Sequence, residues 1–297
     1  MNKPTHCGYV AIIGRPNVGK STLLNRMLGQ KISITSRKPQ TTRQRILGVK
    51  TTGDVQIVFL DTPGLHPGIK RAINQYMNRE ARAALHDMDV ILFVVDGEHW
   101  DEQDEWVLKQ LQSTQSPVIL VLNKIDQVKD RSKLLPYIEK VSQAFKFYKI
   151  IPVSAKTGEQ VETLEKEITA CLPESPFYFP PDQITDRSEQ FMAQEIIREK
   201  LMRGLGQELP YALTVTIVAL KKEEKIIRIS AVIWVEKDSQ KGIVIGKEGS
   251  RLKKIGQQSR LDMEKFFGQK VYLQLWVKVK SGWSDSERLL KELGFGE

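Results

Sequence analysis

Apolar residues along the chain follow two regimes. Between Tyr9 and about residue 170, short continuous apolar runs alternate with stretches of helical period. The runs Tyr9–Ile13, Ile46–Lys50, Val55–Leu60, Val90–Val95, Val118–Leu122 and Lys149–Val153 read as strands. Helices are expected near 20–29, 74–86, 101–112, 132–145 and 159–170. This alternation predicts an α/β domain over residues 1–172, a mostly parallel sheet with helices on both faces. Leu172–Pro181 is rich in proline, which stiffens a chain and stops helices, so 173–186 reads as a linker.

From 187 to 297 the period changes. Ser188–Arg203 is helical, with a stripe of Met192, Ala193, Ile196, Ile197 and Leu201 and a Glu199/Arg203 pair on the other side. Apolar residues then alternate from Leu213 to Ala219, from Ile227 to Val235 and from Val271 to Val279, predicting three strands, the first two a hairpin. Ile243-Val244-Ile245-Gly246 and a basic helix to Phe267 lie before the third strand. The order α-β-β-(α)-α-β predicts a separate α+β domain. Ser284 with Glu287 reads as a capping box for a last short helix, and Trp283 as a cover for the end of the core.

At 297 residues, 40% hydrophobic and 7% aromatic, each half can bury a core. The net charge of +9 and pI near 9.4 favour an anionic partner, nucleic acid or an acidic lipid surface. Cys7 and Cys171 are too few for a disulfide framework or a metal cluster, which fits a reducing cytosol. The first six residues lack the apolar core of a signal peptide, and no run approaches the ~20 apolar residues that cross a bilayer.

Candidate chemistry gathers at the predicted strand ends. Gly14-Arg15-Pro16-Asn17-Val18-Gly19-Lys20-Ser21 fits the phosphate-binding loop G-x-x-x-x-G-K-[ST]. Its glycines let backbone N–H groups face phosphate oxygens, Lys20 reaches the β- and γ-phosphates, and Ser21 offers its hydroxyl to Mg²⁺. Lys31–Arg45 is polar, basic and aperiodic. A threonine from such a loop completes the Mg²⁺ shell only when a γ-phosphate is present, which makes the loop a switch. Asp61-Thr62-Pro63-Gly64 ends a strand where a second magnesium-shell carboxylate belongs, and Gly64 can offer its N–H to the γ-phosphate. Asn123-Lys124-Ile125-Asp126 follows another strand. The Asp126 carboxylate can accept from guanine N1–H and N2–H₂, a donor pair adenine lacks, while the Lys124 chain can cover the base plane. Ser154-Ala155-Lys156 ends the last strand, where the Ala155 N–H can meet guanine O6.

In order, these motifs resemble the signatures of translation-factor-type GTPases. The pattern G-R-P-N-V-G-K-S with Q-T-T-R (40–43) is similar to the branch containing Era, Der and MnmE. The resemblance implies that Thr42 is the magnesium-binding threonine and Asp61 the second-shell carboxylate, with Lys20, Thr42, Gly64 and Asn17 around the reaction. Leu65 stands where Ras-like proteins carry the water-orienting glutamine. Intrinsic hydrolysis is therefore expected to be slow, or another group helps. Asn17 resembles the P-loop asparagine that binds potassium in some relatives. It reads equally as a loop residue with only local hydrogen bonds.

Gly246-Lys247-Glu248-Gly249 enters the basic helix after a hairpin. Residues 241–280 hold ten Lys/Arg, among them Arg251, Lys253 and Lys254, against three acids. The arrangement resembles a type II KH domain, whose G-x-x-G loop clamps four nucleotides. A GTPase domain followed by this unit resembles the Era family along nearly the whole chain. That resemblance implies a monomeric cytoplasmic GTP/GDP switch binding small-subunit rRNA near its 3′ end during 30S assembly, with loose attachment to the inner membrane. The alternative is a membrane- or protein-docked signalling GTPase whose C-terminal domain is a docking module.

Overall fold

A computed structural model of the chain describes residues 4–36, 38, 40–65, 71–206 and 212–295. Arg37 and Pro39 of the expected switch loop lie outside the described residues, as do 66–70 beyond the Asp61–Gly64 motif and 207–211 and 296–297 of the second domain. The chain divides into two compact units. As far as they are described, one comprises 4–35, 42–65 and 76–186, the other 36, 38, 40–41, 71–75, 187–206 and 212–295.

The first unit is built on six strands: β1 (His6–Ile13), β2 (Ile46–Thr52), β3 (Val55–Asp61), β4 (Val90–Asp96), β5 (Val118–Asn123) and β6 (Lys149–Pro152). Their order is β2-β3-β1-β4-β5-β6, and all pairs are parallel except β2–β3. Every residue of β5 is buried and all of β4 but its last, as central strands covered on both faces must be. Helices α2 (Ala72–Ala83), α3 (Glu102–Gln110) and α4 (Leu134–Ser142) follow in the chain, and Ala81, Val107 and Val141 join Ala11, Ile13, Phe93 and Leu120 in one apolar cluster. Helices α1 (Lys20–Leu28) and α5 (Val161–Cys171) pack together away from that cluster. Parallel strands bring β1, β3, β4 and β5 to the same edge with their carboxyl ends, and there the motif loops begin.

The stretch 173–186, expected as a linker, is anchored on this unit. Gln56 of β3 is fully buried; its side-chain oxygen accepts from the N–H groups of Tyr178 (2.9 Å) and Phe179 (3.0 Å), and its amide nitrogen donates to the Phe179 carbonyl (2.8 Å). Tyr178 stacks on Tyr9 at 5.2 Å, and Thr185 donates to the Leu47 carbonyl at 2.7 Å. The outer edge of β2 is covered where Val49 N–H meets the Ile184 carbonyl (2.8 Å), which protects an otherwise open strand.

The second unit runs α6 (Glu189–Gly204), β7 (Leu213–Lys222), β8 (Ile226–Val235), α7 (Asp238–Ile245), α8 (Ser250–Phe267), β9 (Lys270–Val279) and α9 (Glu287–Glu292). β8 is central, antiparallel to β7 and parallel to β9. Ile197 and Leu201 of α6 and Ile255 and Met263 of α8 close one core with Ile229 and Ile233 of the sheet. Trp283 is fully buried and stacks on Phe295, so it covers core as expected.

One expectation needs correction. The last helix is capped by Ser286, whose hydroxyl accepts from Leu289 N–H; Ser284 instead donates to Glu236. A residue at Ncap must sit outside the helix, and Ser284 lies in a preceding 3₁₀ turn. The expected pair on the polar side of α6 is present, and much of that side is buried. The Glu199–Arg203 pair forms at 2.8 Å, but Glu199 is fully buried, as are Glu195 and Arg198 nearly so. Arg198 grips Glu195 through two bonds (2.7 and 2.6 Å) and donates to the Thr41 carbonyl, while Lys200 pairs with Asp262. Helical period reveals the apolar stripe but not that other segments cover the opposite side, where each charge then needs a partner.

Gln56→Leu keeps the volume but leaves the Tyr178 and Phe179 N–H groups without acceptors. Denaturant unfolding of the first unit is expected to lose about 3 kcal/mol. A loss below about 1 kcal/mol would show that 173–186 contributes little to the unit.

Candidate functional sites

The Gly14–Ser21 loop joins β1 to α1 and curls around the Lys20 ammonium. Lys20 Nζ donates to the carbonyls of Gly14 (3.0 Å) and Arg15 (2.9 Å). Gly14 has φ +149°, and a Cβ there would stand 2.2 Å from the Val94 carbonyl oxygen. A Cβ on Gly19 (φ +101°) would stand 2.2 Å from Asn123 Nδ2. These contacts exclude any side chain at either position. Burial pulls the Lys20 pKa down to about 8, with Asp61 acting in the opposite direction. Asn17 stands exposed at the loop tip in the left-handed region (φ 66°).

Asp61 ends β3 fully buried. Its Oδ2 accepts from Ser21 Oγ (2.7 Å), Ser33 Oγ (2.9 Å) and Thr42 Oγ1 (3.4 Å), and Ser21 and Thr42 stand 2.8 Å apart. Burial raises the Asp61 pKa against these hydrogen bonds, and its Oδ1 has no hydrogen-bond partner among the described residues. Three hydroxyls and a carboxylate thus converge beside the phosphate loop. Ser33 escaped the sequence reading because no motif includes it. Thr62 donates to the Ile12 carbonyl (2.9 Å), and Pro63 is buried beside it. Gly64 passes so close to the loop that a Cβ would sit 2.7 Å from Pro16 N.

Two predicted residues turn elsewhere. The Arg15 side chain does not face the loop interior; Nε pairs with Asp104 (3.0 Å) and Asp101 (3.4 Å) at the start of α3. Asp104 is fully buried, and Asp101 and Asp104 close a capping box there. The pattern Asp101-Glu102-Gln103-Asp104 is a legible helix start, but its cation arrives from a distant loop. Leu65 is likewise buried among Ile13, Phe93 and Val95, so its side chain belongs to the core.

Asn123 ties three motifs together. Its Nδ2 donates to the Val18 carbonyl (2.7 Å) and its Oδ1 accepts from Ala155 N–H (3.0 Å). That N–H, expected to face a base, is therefore engaged by Asn123. Lys124 (φ 69°) pairs with Asp96 at 2.9 Å. Burial opposes ionisation of Asp96, yet hydrogen bonds from Lys124 and the Glu98 N–H hold its pKa below the usual carboxylate value. Asp126 is oriented by Ser154 Oγ (2.7 Å), with Lys156 Nζ 3.9 Å from its other oxygen, and Ile125 is buried. One Asp126 oxygen is thus fixed by a hydroxyl, which sets the plane of the carboxylate.

In the second unit, Gly246 (φ 75°), Glu248 (φ 51°) and Gly249 (φ 77°) curl the backbone between α7 and α8, and the curl is held by Gly246 N–H on the Gly242 carbonyl (2.9 Å) and Gly249 N–H on the Gly246 carbonyl (3.1 Å). Beside the loop lies a groove of about 460 Å³, lined by Gly249, Leu252, Lys253, Gly256, Gln257, Arg260, Leu273 and Leu275. Lys247 and Lys254 are exposed, but Arg251 donates to the Ile243 carbonyl and so closes the end of α7. Gly256 was missed, and Arg260 was counted only as one of the ten basic residues of 241–280: they lie about two and three turns into α8, and only packing against β9 makes them groove walls.

A phosphate loop at the end of β1, a buried carboxylate at the end of β3 and an Asn-Lys-x-Asp loop after β5 define a P-loop GTPase, here with a KH unit behind it. Residues 9–124 match the model of the 50S ribosome-binding GTPase family, and 208–284 match that of the KH domain. The chain is 70% identical to GTPase Era of Coxiella burnetii over 295 residues, 99% of this chain and all of that one. It is 54% identical to GTPase Era of Pseudomonas aeruginosa over 293 residues, covering 99% of this chain and 96% of that protein. Its fold superposes with a TM-score of 0.95 and 40% identity, over 99% of this chain and all of that one, on a crystal structure of Era in complex with MgGDPNP and nucleotides 1506–1542 of 16S ribosomal RNA. The chain belongs to the Era family of GTPases, enzymes that hydrolyse GTP.

A phosphate bound in the Gly14–Ser21 loop would select the charged form of Lys20. Its depressed pKa makes nucleotide affinity level near pH 7 and falling above about pH 8, by up to tenfold per unit. Titration with GDP between pH 6.5 and 9 checks this, with Lys20→Met as the pH-insensitive control. A level profile to pH 9 would contradict it.

Proposed function

We propose that this protein is a GTP-operated switch that binds small-subunit rRNA through its KH unit and acts in 30S assembly. The observation that carries the reading is the curled Gly246–Gly249 backbone at the mouth of a groove with basic and apolar walls. The full-length likeness to an Era bound to 16S rRNA supports it. Phosphates would meet the loop amides and Lys253, while unstacked bases enter between Leu252 and Leu275.

In the first unit, Gly14–Ser21 would hold the β- and γ-phosphates and Asp126 would select guanine. Magnesium fits the hard oxygen donors gathered at Ser21, Thr42 and Asp61, and when bound it neutralises phosphate charge. Asp61, kept ionised by that charge, would orient the Ser21 and Thr42 hydroxyls. With Leu65 in the core, no side chain at that position orders the attacking water. Gly64 N–H would help to hold the γ-phosphate, and a potassium ion at exposed Asn17 would supply the missing positive charge. The protein would work in the cytoplasm as a monomer, with its net charge of +9 supporting loose attachment to the anionic inner membrane.

Gly249→Asp is the discriminating variant. A Cβ at Gly249 meets nothing within 4 Å, and aspartate tolerates the left-handed region, whereas one at Gly246 would stand 2.7 Å from Arg251 Cβ. The variant is expected to fold, keep GTP affinity and lose binding to a four-nucleotide RNA. Lys253→Ala should weaken binding less and lower the salt slope by about 0.7. Wild-type RNA affinity in Gly249→Asp would leave the docking-module reading in front. For potassium, exchanging K⁺ for Na⁺ should slow GTP hydrolysis in the wild type but not in Asn17→Ala; equal rates in both salts would remove the ion from the scheme.

A further inference from the structure

The groove uses the helix-covered side of the three-stranded sheet. The opposite side has its own chemistry, set by strand register. Arg228 pairs with both Lys221 and Tyr272, Val232 pairs with Trp276, and Trp234 pairs with Lys278. The alternating positions Ile227, Ile229 and Ile233 fill the core, so the residues between them face outward. An irregularity between Ile217 and Ala219 shifts the end of β7 by one residue, which places Lys221 beside Arg228 on the outer side. Within the paired positions 214–221, 228–234 and 272–278, this side carries Lys221, Arg228 and Lys278 and no carboxylate.

Its aromatic residues are unusually open. Tyr272 is 45% exposed and Trp276 44%, on one strand and one face. Four residues apart, they stand about 13 Å from each other, room for two separate bases. The Trp234 ring is held beside them, with Nε1 donating to Thr216 (2.9 Å) and Lys280 Nζ 5.8 Å from the ring centroid. The Arg228 guanidinium lies 5.4 Å from the Tyr272 centroid and donates to Glu223 in the hairpin turn (2.8 Å), so its plane extends the stacking surface.

We propose that this outer sheet face is a second binding surface for single-stranded RNA, distinct from the loop and groove. Bases stack on Tyr272 and Trp276, and Lys221, Arg228 and Lys278 meet the phosphates. The inference rests on the RNA-binding reading of the same unit and extends it. The charge and the exposed rings favour nucleic acid over a protein partner: a helix docking here needs a continuous apolar stripe, whereas Ser230 and Gln274 separate the two rings. A sheet displaying aromatic rings between cations is a sequence-tolerant platform for bases.

The test uses the full chain with two oligouridines, a 4-mer that the loop and groove accommodate and a 12-mer that reaches further, followed by fluorescence anisotropy at fixed salt. In the double variant Tyr272→Ala/Trp276→Ala, 12-mer affinity should fall by about tenfold or more, the effect of losing stacked bases, with 4-mer affinity unchanged. Tyr272→Phe/Trp276→Phe keeps the rings and should retain 12-mer binding. Gly249→Asp should lose the 4-mer but retain part of the 12-mer affinity, which separates a failure of the groove reading from a failure of this one. Wild-type 12-mer affinity in the double alanine variant overturns the proposal. Equal losses on both oligonucleotides overturn it as well, because the rings would then act only by supporting the groove.

Discussion

The nucleotide site depends on one side chain with both ends committed. Asn123 donates to the Val18 carbonyl and accepts from the Ala155 N–H, so the phosphate loop, the Asn-Lys-Ile-Asp loop and the Ser-Ala-Lys loop share a single amide. The contact needs Gly19, because a Cβ there would fall within 2.2 Å of the Asn123 nitrogen. Three loops from distant parts of the chain are thereby held in one arrangement. That is preorganisation: the Gly14–Ser21 loop and the loop carrying Asp126 keep their spacing without any ligand.

Around this junction, burial is used to control charge. Lys20, Asp61 and Asp104 are all nearly or fully removed from water, yet each has a counterpart: carbonyls for Lys20, three hydroxyls for Asp61, Arg15 for Asp104. A lysine buried against carbonyls has its charged form disfavoured, and burial accordingly lowers the Lys20 pKa to about 8. The Arg15–Asp104 pair plays a different part. It fastens the second residue of the phosphate loop to the start of α3, and the loop's position follows from that helix as well as from β1.

The second unit follows the same rule with different material. In α6 Glu195, Arg198, Glu199 and Lys200 are buried, with Glu195 paired to Arg198 and Glu199 to Lys200, so the helix offers specific polar partners on one side and an apolar stripe on the other. The short segment ending at Thr41 belongs to this unit, with its carbonyl held by Arg198, while the next residue, Thr42, reaches Ser21 and Asp61. Adjacent residues of one loop therefore answer to different surroundings.

Local sequence carried a great deal. Continuous apolar runs marked the central strands of the first sheet, β4 and β5 above all, because they are covered on both faces, and alternation marked the three strands of the second because each has one covered face. The glycine-rich and strand-end motifs were legible because their chemistry needs particular residues at fixed spacing. Tertiary structure alone decided the rest. The strand order, the anchoring of 173–186 by Gln56, the arrival of Ser33 at Asp61 and the turning of Arg15 toward Asp104 join residues far apart in the chain, and no local period encodes such partners. The same holds for α6: a helical stripe tells which side is apolar, but only packing tells whether water or protein covers the other.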